Sequence, residues 1–257
     1  MTSTWDPNLY LKFGNERTQP SFDLIARITL PAPASIVDLG CGTGNGTEAL
    51  RRRWPAADVT GLDNSPEMLK TAARDFPAGP WVLADIATWA PDAPVDLVFS
   101  NATLQWVKGH PALMPGLLGF VAEGGALAVQ MPHSGKMVVR KLILATAEDA
   151  AWSDRLASSG KATAIESTEA YYDMLRPNSA RLDVWEIEYM HVMAGPDAII
   201  EWIRATSLRP FLDALASPAE RAAFEAQLRA RIEDAFPRRI DGNVLFPFKR
   251  LFFIAYR

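Results

Sequence analysis

The residues best placed to do chemistry stand together near the start of the chain, in Asp38-Leu39-Gly40-Cys41-Gly42-Thr43-Gly44. Glycines let a backbone turn tightly and come close to a ligand, because no Cβ intrudes. A dinucleotide loop needs G-x-G-x-x-G or a terminal alanine. Counting from Gly40 puts Asn45 at the last position, and counting from Gly42 puts Thr47 there, so both fail. The pattern is G-x-G-x-G with an acid two residues ahead of the first glycine. Asp38 at that place suits a ligand carrying an ammonium and a sulfonium rather than a pyrophosphate.

Further polar residues follow at regular intervals. Asp63, with Asn64 after it, is placed to accept both hydroxyls of a ribose. Asp85 is placed to accept from an exocyclic amine, with Ile86 packed on the ring beside it. Asn101 lies in Phe99-Ser100-Asn101-Ala102. Each acid could instead cap the helix that follows it. Cys41 has two readings, a nucleophile or a small filler of the loop; no histidine stands near it in sequence, which favours the filler.

Strands must hold these residues in place. Ser35 to Leu39, Asp58 to Leu62, Trp81 to Ala84, Val95 to Ser100 and Gly125 to Met131 read as short buried strands. Helical segments separate them at 46–53, from Ser65-Pro66-Glu67 to about Asp75, and near 111–120. An earlier helix covers 20–30. Such alternation predicts a doubly wound parallel α/β sheet, and the polar residues above all fall at carboxyl ends of its strands, where open sheets of this kind bind ligands. Beyond residue 131 the pattern changes. Residues 136–175 and 196–235 read as mostly helical, Asp183 to Met193 as a long strand and Arg250 to Tyr256 as a final one.

The chain has 257 residues, 49% of them hydrophobic and 22% charged, with a formal net charge of −4. That profile allows a substantial core and argues against a broad basic nucleic-acid surface. One cysteine excludes an intramolecular disulfide and a multi-cysteine metal site. No signal peptide and no membrane-length apolar run is read, so a cytoplasmic location is expected.

The residues Val37 to Asn45 resemble the glycine loop of class I S-adenosylmethionine-dependent methyltransferases. Longer stretches are similar to the trans-aconitate 2-methyltransferase family: Trp5 to Leu11, Asn101-Ala102-Thr103-Leu104-Gln105-Trp106, Ala128 to Pro132, Tyr171-Tyr172-Asp173 and Leu208-Arg209-Pro210. The resemblance implies a Rossmann-like seven-stranded sheet forming a single domain. Its core would be 20–131, 182–193 and 249–257, with helical insertions at about 132–181 and 194–248, after the fifth and sixth strands. It implies S-adenosylmethionine as cofactor, held by Asp38, Gly40, Gly42, Gly44, Asp63, Asn64, Asp85, Ile86, Asn101 and Gln105, with Tyr10 and Arg17 in an N-terminal lid. The implied acceptor is a carboxylate of trans-aconitate, which becomes a monomethyl ester. Another small or carrier-linked carboxylate is the alternative.

A carboxylate nucleophile is already ionised at neutral pH, so no general base and no metal is expected. A tricarboxylate needs cations, and arginine forks meet carboxylates bidentately. Arg209 and Arg204 are the leading candidates, with Tyr171, Tyr172, His133, His191 and Trp202 as further contacts; core packing is the competing role for each aromatic. Arg176, Lys161 and Arg238-Arg239 are rival cations. The partner is expected to be a small molecule, not nucleic acid or membrane, and oligomeric state is not read from the sequence.

Overall fold

The computed structural model describes residues 18–159, 165–204 and 206–257. Seven strands form one sheet: β1 Ser35–Leu39, β2 Asp58–Asp63, β3 Trp81–Leu83, β4 Val95–Asn101, β5 Val121–Pro132, β6 Arg181–Met193 and β7 Val244–Tyr256. Their order is β3-β2-β1-β4-β5-β7-β6. The pairs β1–β2, β1–β4, β2–β3 and β4–β5 are parallel. Strand β7 runs the other way: Gly124 donates to the Arg257 carbonyl, while His133 donates to that of Lys249. The sheet is therefore the doubly wound α/β arrangement expected, with an antiparallel far edge.

The strand order reverses between β1 and β4. Chains leaving the carboxyl ends of these two neighbours diverge to opposite sides, which opens a crevice there. Helices follow where local chemistry starts them. Ser65 caps Pro66–Asp75 by accepting from the Met68 amide, and Pro66 occupies the first turn, where its missing N–H is harmless. Helix Gln19–Arg27 buries Phe22, Leu24 and Ile25 and ends ahead of Pro31.

The described residues group into two compact units. One holds residues up to Met131 with Glu166–Glu186 and Leu251–Arg257; the other holds Pro132–Ile165 and Ile187–Arg250. The first has the buried strands β1 and β4 at its centre. The second has its own apolar cluster, built from Met137, Val139, Ile143, Ile199, Ile203, Phe211, Phe224, Phe246 and Phe248 among others.

Two strands start well ahead of where the sequence predicts. β7 starts at Val244 rather than Arg250, because Val244, Phe246 and Phe248 alternate inward; Pro247 and the basic pair Lys249-Arg250 disguise that alternation. β5 starts at Val121, since Gly124-Gly125 continues the strand and pairs with Arg257 instead of turning. The helix Thr168–Leu175, expected inside an insertion, groups with the first unit.

Candidate functional site

The glycine loop is fastened from several sides. The amides of Gly40 and Cys41 both donate to the Leu62 carbonyl, at 2.7 and 2.9 Å. The Thr103 hydroxyl donates to the Gly40 carbonyl at 3.0 Å. Gly40 has φ +72°, and a Cβ there would lie 2.0 Å from the Thr103 side chain, so no other residue fits without moving the loop after β4. Gly42 has φ +55°, and among the described residues no atom lies within 4 Å of a Cβ placed there, so a ligand can approach the bare backbone. Gly44, also at positive φ, leads into helix Asn45–Arg53.

Asp38 is buried beneath this loop and accepts a 2.6 Å hydrogen bond from the Thr47 hydroxyl. Burial pushes its carboxyl up to about 7; the Thr47 bond pulls it down, the Asp63 charge raises it and Arg51 lowers it again. A cation bound beside it would restore the ionised form. Cys41 is buried as well. Burial, reinforced by Asp38 and Asp63, holds its thiol well above the usual range, so it is the filler of the two readings and not a thiolate nucleophile.

Asp63, at the end of β2, accepts from the Gly42 amide through Oδ2 and from the Ser65 amide through Oδ1, both at 2.9 Å. A carboxylate has about four acceptor positions. Among the described residues two stay open for a diol, while the two amides hold the carboxylate still. Asn64 is exposed beside it. After β3, Asp85 is exposed and accepts from the Ala87 amide, and Ile86 is buried.

The turn after β4 is strained. Ala102 has φ +54°, the one non-glycine residue at positive φ among those described. Its amide donates to the Gln130 carbonyl at 2.9 Å, and the Gln105 side-chain amide donates to its carbonyl at 2.6 Å. Strain of this kind persists only where the surroundings over-determine it, and it gathers at ligand sites. The side-chain oxygens of Asn101 and Gln105 are buried, with no donor among the described residues. Two unsatisfied acceptors flanking a strained turn, at the strand-order reversal, fit a ligand that brings its own N–H or cationic groups.

The acceptor-side expectations fare differently. Arg204 lies in an exposed two-point ion pair with Glu225, at 2.7 and 3.1 Å. Arg209 is exposed and paired with Asp213 at 3.4 Å. Arg209 and Pro210 form the first turn of helix Arg209–Asp213, and Leu208 is the buried residue of the motif. Both arginines are thus exposed and face acids of their own surroundings.

Tyr171 is fully buried against His110 and Phe253, so it packs the first unit. Tyr172 lines an open cavity of about 400 Å³ with Thr168, Glu169, Asp173 and Val184, whose two carboxylates would repel an anion. His191 is buried among Trp202, Phe246 and Phe248, its ring centroid 4.9 Å from that of Trp202. His133 is buried just past the end of β5. Tyr10, Arg17 and Lys161 lie outside the described residues.

Two cations escaped the sequence reading. Arg140 and Arg250 are both buried in the second unit. The signal was a basic residue at an inward position: Arg140 shares the buried face of helix Val138–Ala147 with Val139, Ile143 and Ala147, and Arg250 interrupts the apolar run of β7.

A protein from Acidovorax ebreus named trans-aconitate 2-methyltransferase is 47% identical to this chain over 254 residues, covering 98% of each. The chain belongs to the trans-aconitate 2-methyltransferase family. Another so-named protein, from Azoarcus sp., is 45% identical over 99% of both chains. The methyltransferase-domain family model matches residues 36–125, the stretch from β1 into β5 that holds the loop, Asp63, Asp85 and Asn101. A Haemonchus contortus phosphoethanolamine N-methyltransferase 2, solved with S-adenosyl-L-methionine, superposes with a TM-score of 0.57 at 14% identity, over 92% of this chain and 52% of that longer one. Family members thus match this chain across both units, while the wider methyltransferase likeness is one of fold.

Proposed function

We propose that this enzyme transfers a methyl group from S-adenosylmethionine to a carboxylate of trans-aconitate, leaving S-adenosylhomocysteine and a monomethyl ester. One observation carries the reading: family members named for this reaction match the chain almost end to end. When bound, the cofactor supplies an electrophilic methyl group, whose S–C bond breaks as an O–C bond to the acceptor forms.

The chain's own residues have limited but specific tasks. Asp63 accepts the ribose hydroxyls at its two open positions, with Asn64 at the rim. Asp85 and Ile86 receive the adenine. The bare backbone at Gly40, Gly42 and Gly44 admits the methionine end, Asp38 supplies a compensating charge below it, and Asn101 and Gln105 offer the acceptors that the fold leaves unsatisfied. Tyr10 and Arg17 belong to the same reading as covering residues. A carboxylic acid has a pKa of about 4, so the nucleophile arrives ionised and no residue need take a proton. Catalysis then consists of holding the carboxylate in line and excluding water. The reading keeps a cytoplasmic setting and a small-molecule partner. Among the described residues, no helix is long and apolar enough to cross a membrane.

Labelled methyl-transfer assays against trans-aconitate, simple monocarboxylates, an acidic carrier protein and tRNA test it. Trans-aconitate should be the preferred acceptor. Equal kcat/KM for trans-aconitate and a monocarboxylate would remove the tricarboxylate claim.

A further inference from the structure

Trp106 is 48% exposed, and it is the one exposed tryptophan among the described residues. Every other described tryptophan packs on a ring or a guanidinium, as Trp185 does on Phe252 and Trp202 on His191. The Trp106 indole has no such partner among the described residues. Its backbone is nevertheless firmly held. It ends the short turn Leu104–Trp106, and its amide donates to the Thr103 carbonyl at 3.0 Å. The Thr103 hydroxyl donates in turn to the Gly40 carbonyl. Leu104 is fully buried, and the Gln105 side-chain amide donates to the Ala102 carbonyl. A bare aromatic face on a fixed turn is a preorganised wall, which costs little ordering when a ligand meets it.

The strand order says which part of a ligand comes to it. Asp85 follows β3, Asp63 ends β2, the glycine loop follows β1 and the turn of Trp106 follows β4, and these four strands are neighbours in that order. All of these residues belong to the first compact unit. A cofactor with its adenine at Asp85, its ribose at Asp63 and its methionine end at the glycine loop brings its sulfur to the end beside β4. A sulfonium there carries a positive charge, and the face of an indole attracts cations more than that of any other side chain.

We propose that the indole of Trp106 forms the wall against which the sulfonium and its methyl group sit. The inference rests on the placement of the cofactor given above. When the methyl passes to the acceptor oxygen, the sulfur keeps the electron pair of the broken bond and becomes a neutral thioether. The attraction to the ring then ends, so Trp106 favours loading of S-adenosylmethionine and release of S-adenosylhomocysteine. The two ligands differ only in the methyl and the charge, and this difference isolates the role of the ring.

The test measures the Kd of each ligand by calorimetry, without acceptor, for the wild type, Trp106→Phe and Trp106→Leu. Trp106→Leu keeps apolar bulk and loses the π face; Trp106→Phe keeps a weaker one. The leucine variant should raise the Kd of S-adenosylmethionine about five- to tenfold and the phenylalanine variant about two- to threefold. The Kd of S-adenosylhomocysteine should stay within about twofold in both. Because the side chain is exposed, Tm should move by no more than about 2 °C. Equal weakening of both ligands would make Trp106 an apolar contact only, and no change in either would place it off the site; each overturns the inference. Asp63→Ala serves as the reference, since the ribose is common to both ligands and both should weaken. If that variant too leaves both ligands unchanged, the placement of the cofactor fails, and this inference with it.

Discussion

His110 and Tyr171 share a buried 2.5 Å hydrogen bond that ties helix Thr168–Leu175 to the first residue of helix His110–Gly119. The other ring nitrogen of His110, Nε2, lies 2.9 Å from the Leu104 carbonyl. A carbonyl only accepts, so Nε2 carries a proton, and Nδ1 meets the tyrosine hydroxyl. That hydroxyl accepts in turn from the Glu166 amide at 3.2 Å. Leu104 precedes Gln105, so the chain of bonds ends next to a residue of the proposed cofactor site.

Tyr171→Phe removes the hydroxyl and leaves Nδ1 and the Glu166 amide without it. The expected loss is about 1–3 kcal/mol, seen as a drop of several degrees in Tm. Because the Leu104 turn loosens with it, affinity for S-adenosylhomocysteine should fall more than the KM for the acceptor changes. A variant with lowered Tm and wild-type affinity would mean that the pair serves packing alone.

Asp38 makes the empty enzyme sensitive to pH. Its folded pKa, pushed up by burial to about 7, stands above the ordinary carboxylate value of 3.8. The folded state therefore binds the extra proton between those values, and stability falls as pH rises through that window. Asp38→Asn should flatten the curve and stabilise the ligand-free protein at pH 8 by on the order of 1–4 kcal/mol. The same change should weaken S-adenosylmethionine binding, since its cationic end loses a counter-charge. In the wild type, affinity should rise with pH up to about 7 as the proton leaves. Denaturant titrations at several pH values and calorimetry check both halves; a flat wild-type stability curve from pH 4 to 8 would contradict them.

Asp63→Ala should weaken cofactor binding by about 1.5–3 kcal/mol, or about ten- to a hundredfold. It also frees the Gly42 and Ser65 amides, so the loop itself should show faster amide exchange. Calorimetry that detects NAD binding and none of S-adenosylmethionine would sink the cofactor reading.

Ala102→Gly relieves the strained backbone after β4. Glycine accepts φ +54° without steric conflict, so Tm should rise by a few degrees, about 1 kcal/mol. The strain is held by bonds to Gln130 and Gln105, and a freer backbone should let the Gln105 turn wander, lowering kcat severalfold. A variant that is destabilised would show that the alanine methyl packs to more effect than its backbone strains.

The sequence by itself determined the class of fold and which polar residues stand at the strand ends. Strand β1 is a local apolar run ending in glycines, Ser65-Pro66 writes its own helix start, and Asp63 and Asp85 stand at strand ends that the sequence marks. Those are short-range facts, and the α/β topology then brings strand ends together whatever the remaining packing does.

Which cations and aromatics are buried was decided by tertiary structure. Nothing local separates Arg209, exposed beside Asp213, from Arg250, buried over Phe248; both look like a basic residue next to an apolar one. Tyr171 and Tyr172 are adjacent, yet one is sealed against His110 and Phe253 and the other lines an open acidic cavity. Ala102 acquires its positive φ, and Asn101 and Gln105 their unsatisfied oxygens, only because β5 and the glycine loop crowd the turn from outside. Burial and partner choice depend on residues tens to hundreds of positions away, so periodicity can locate a helix or a strand but not the neighbour that its side chains meet.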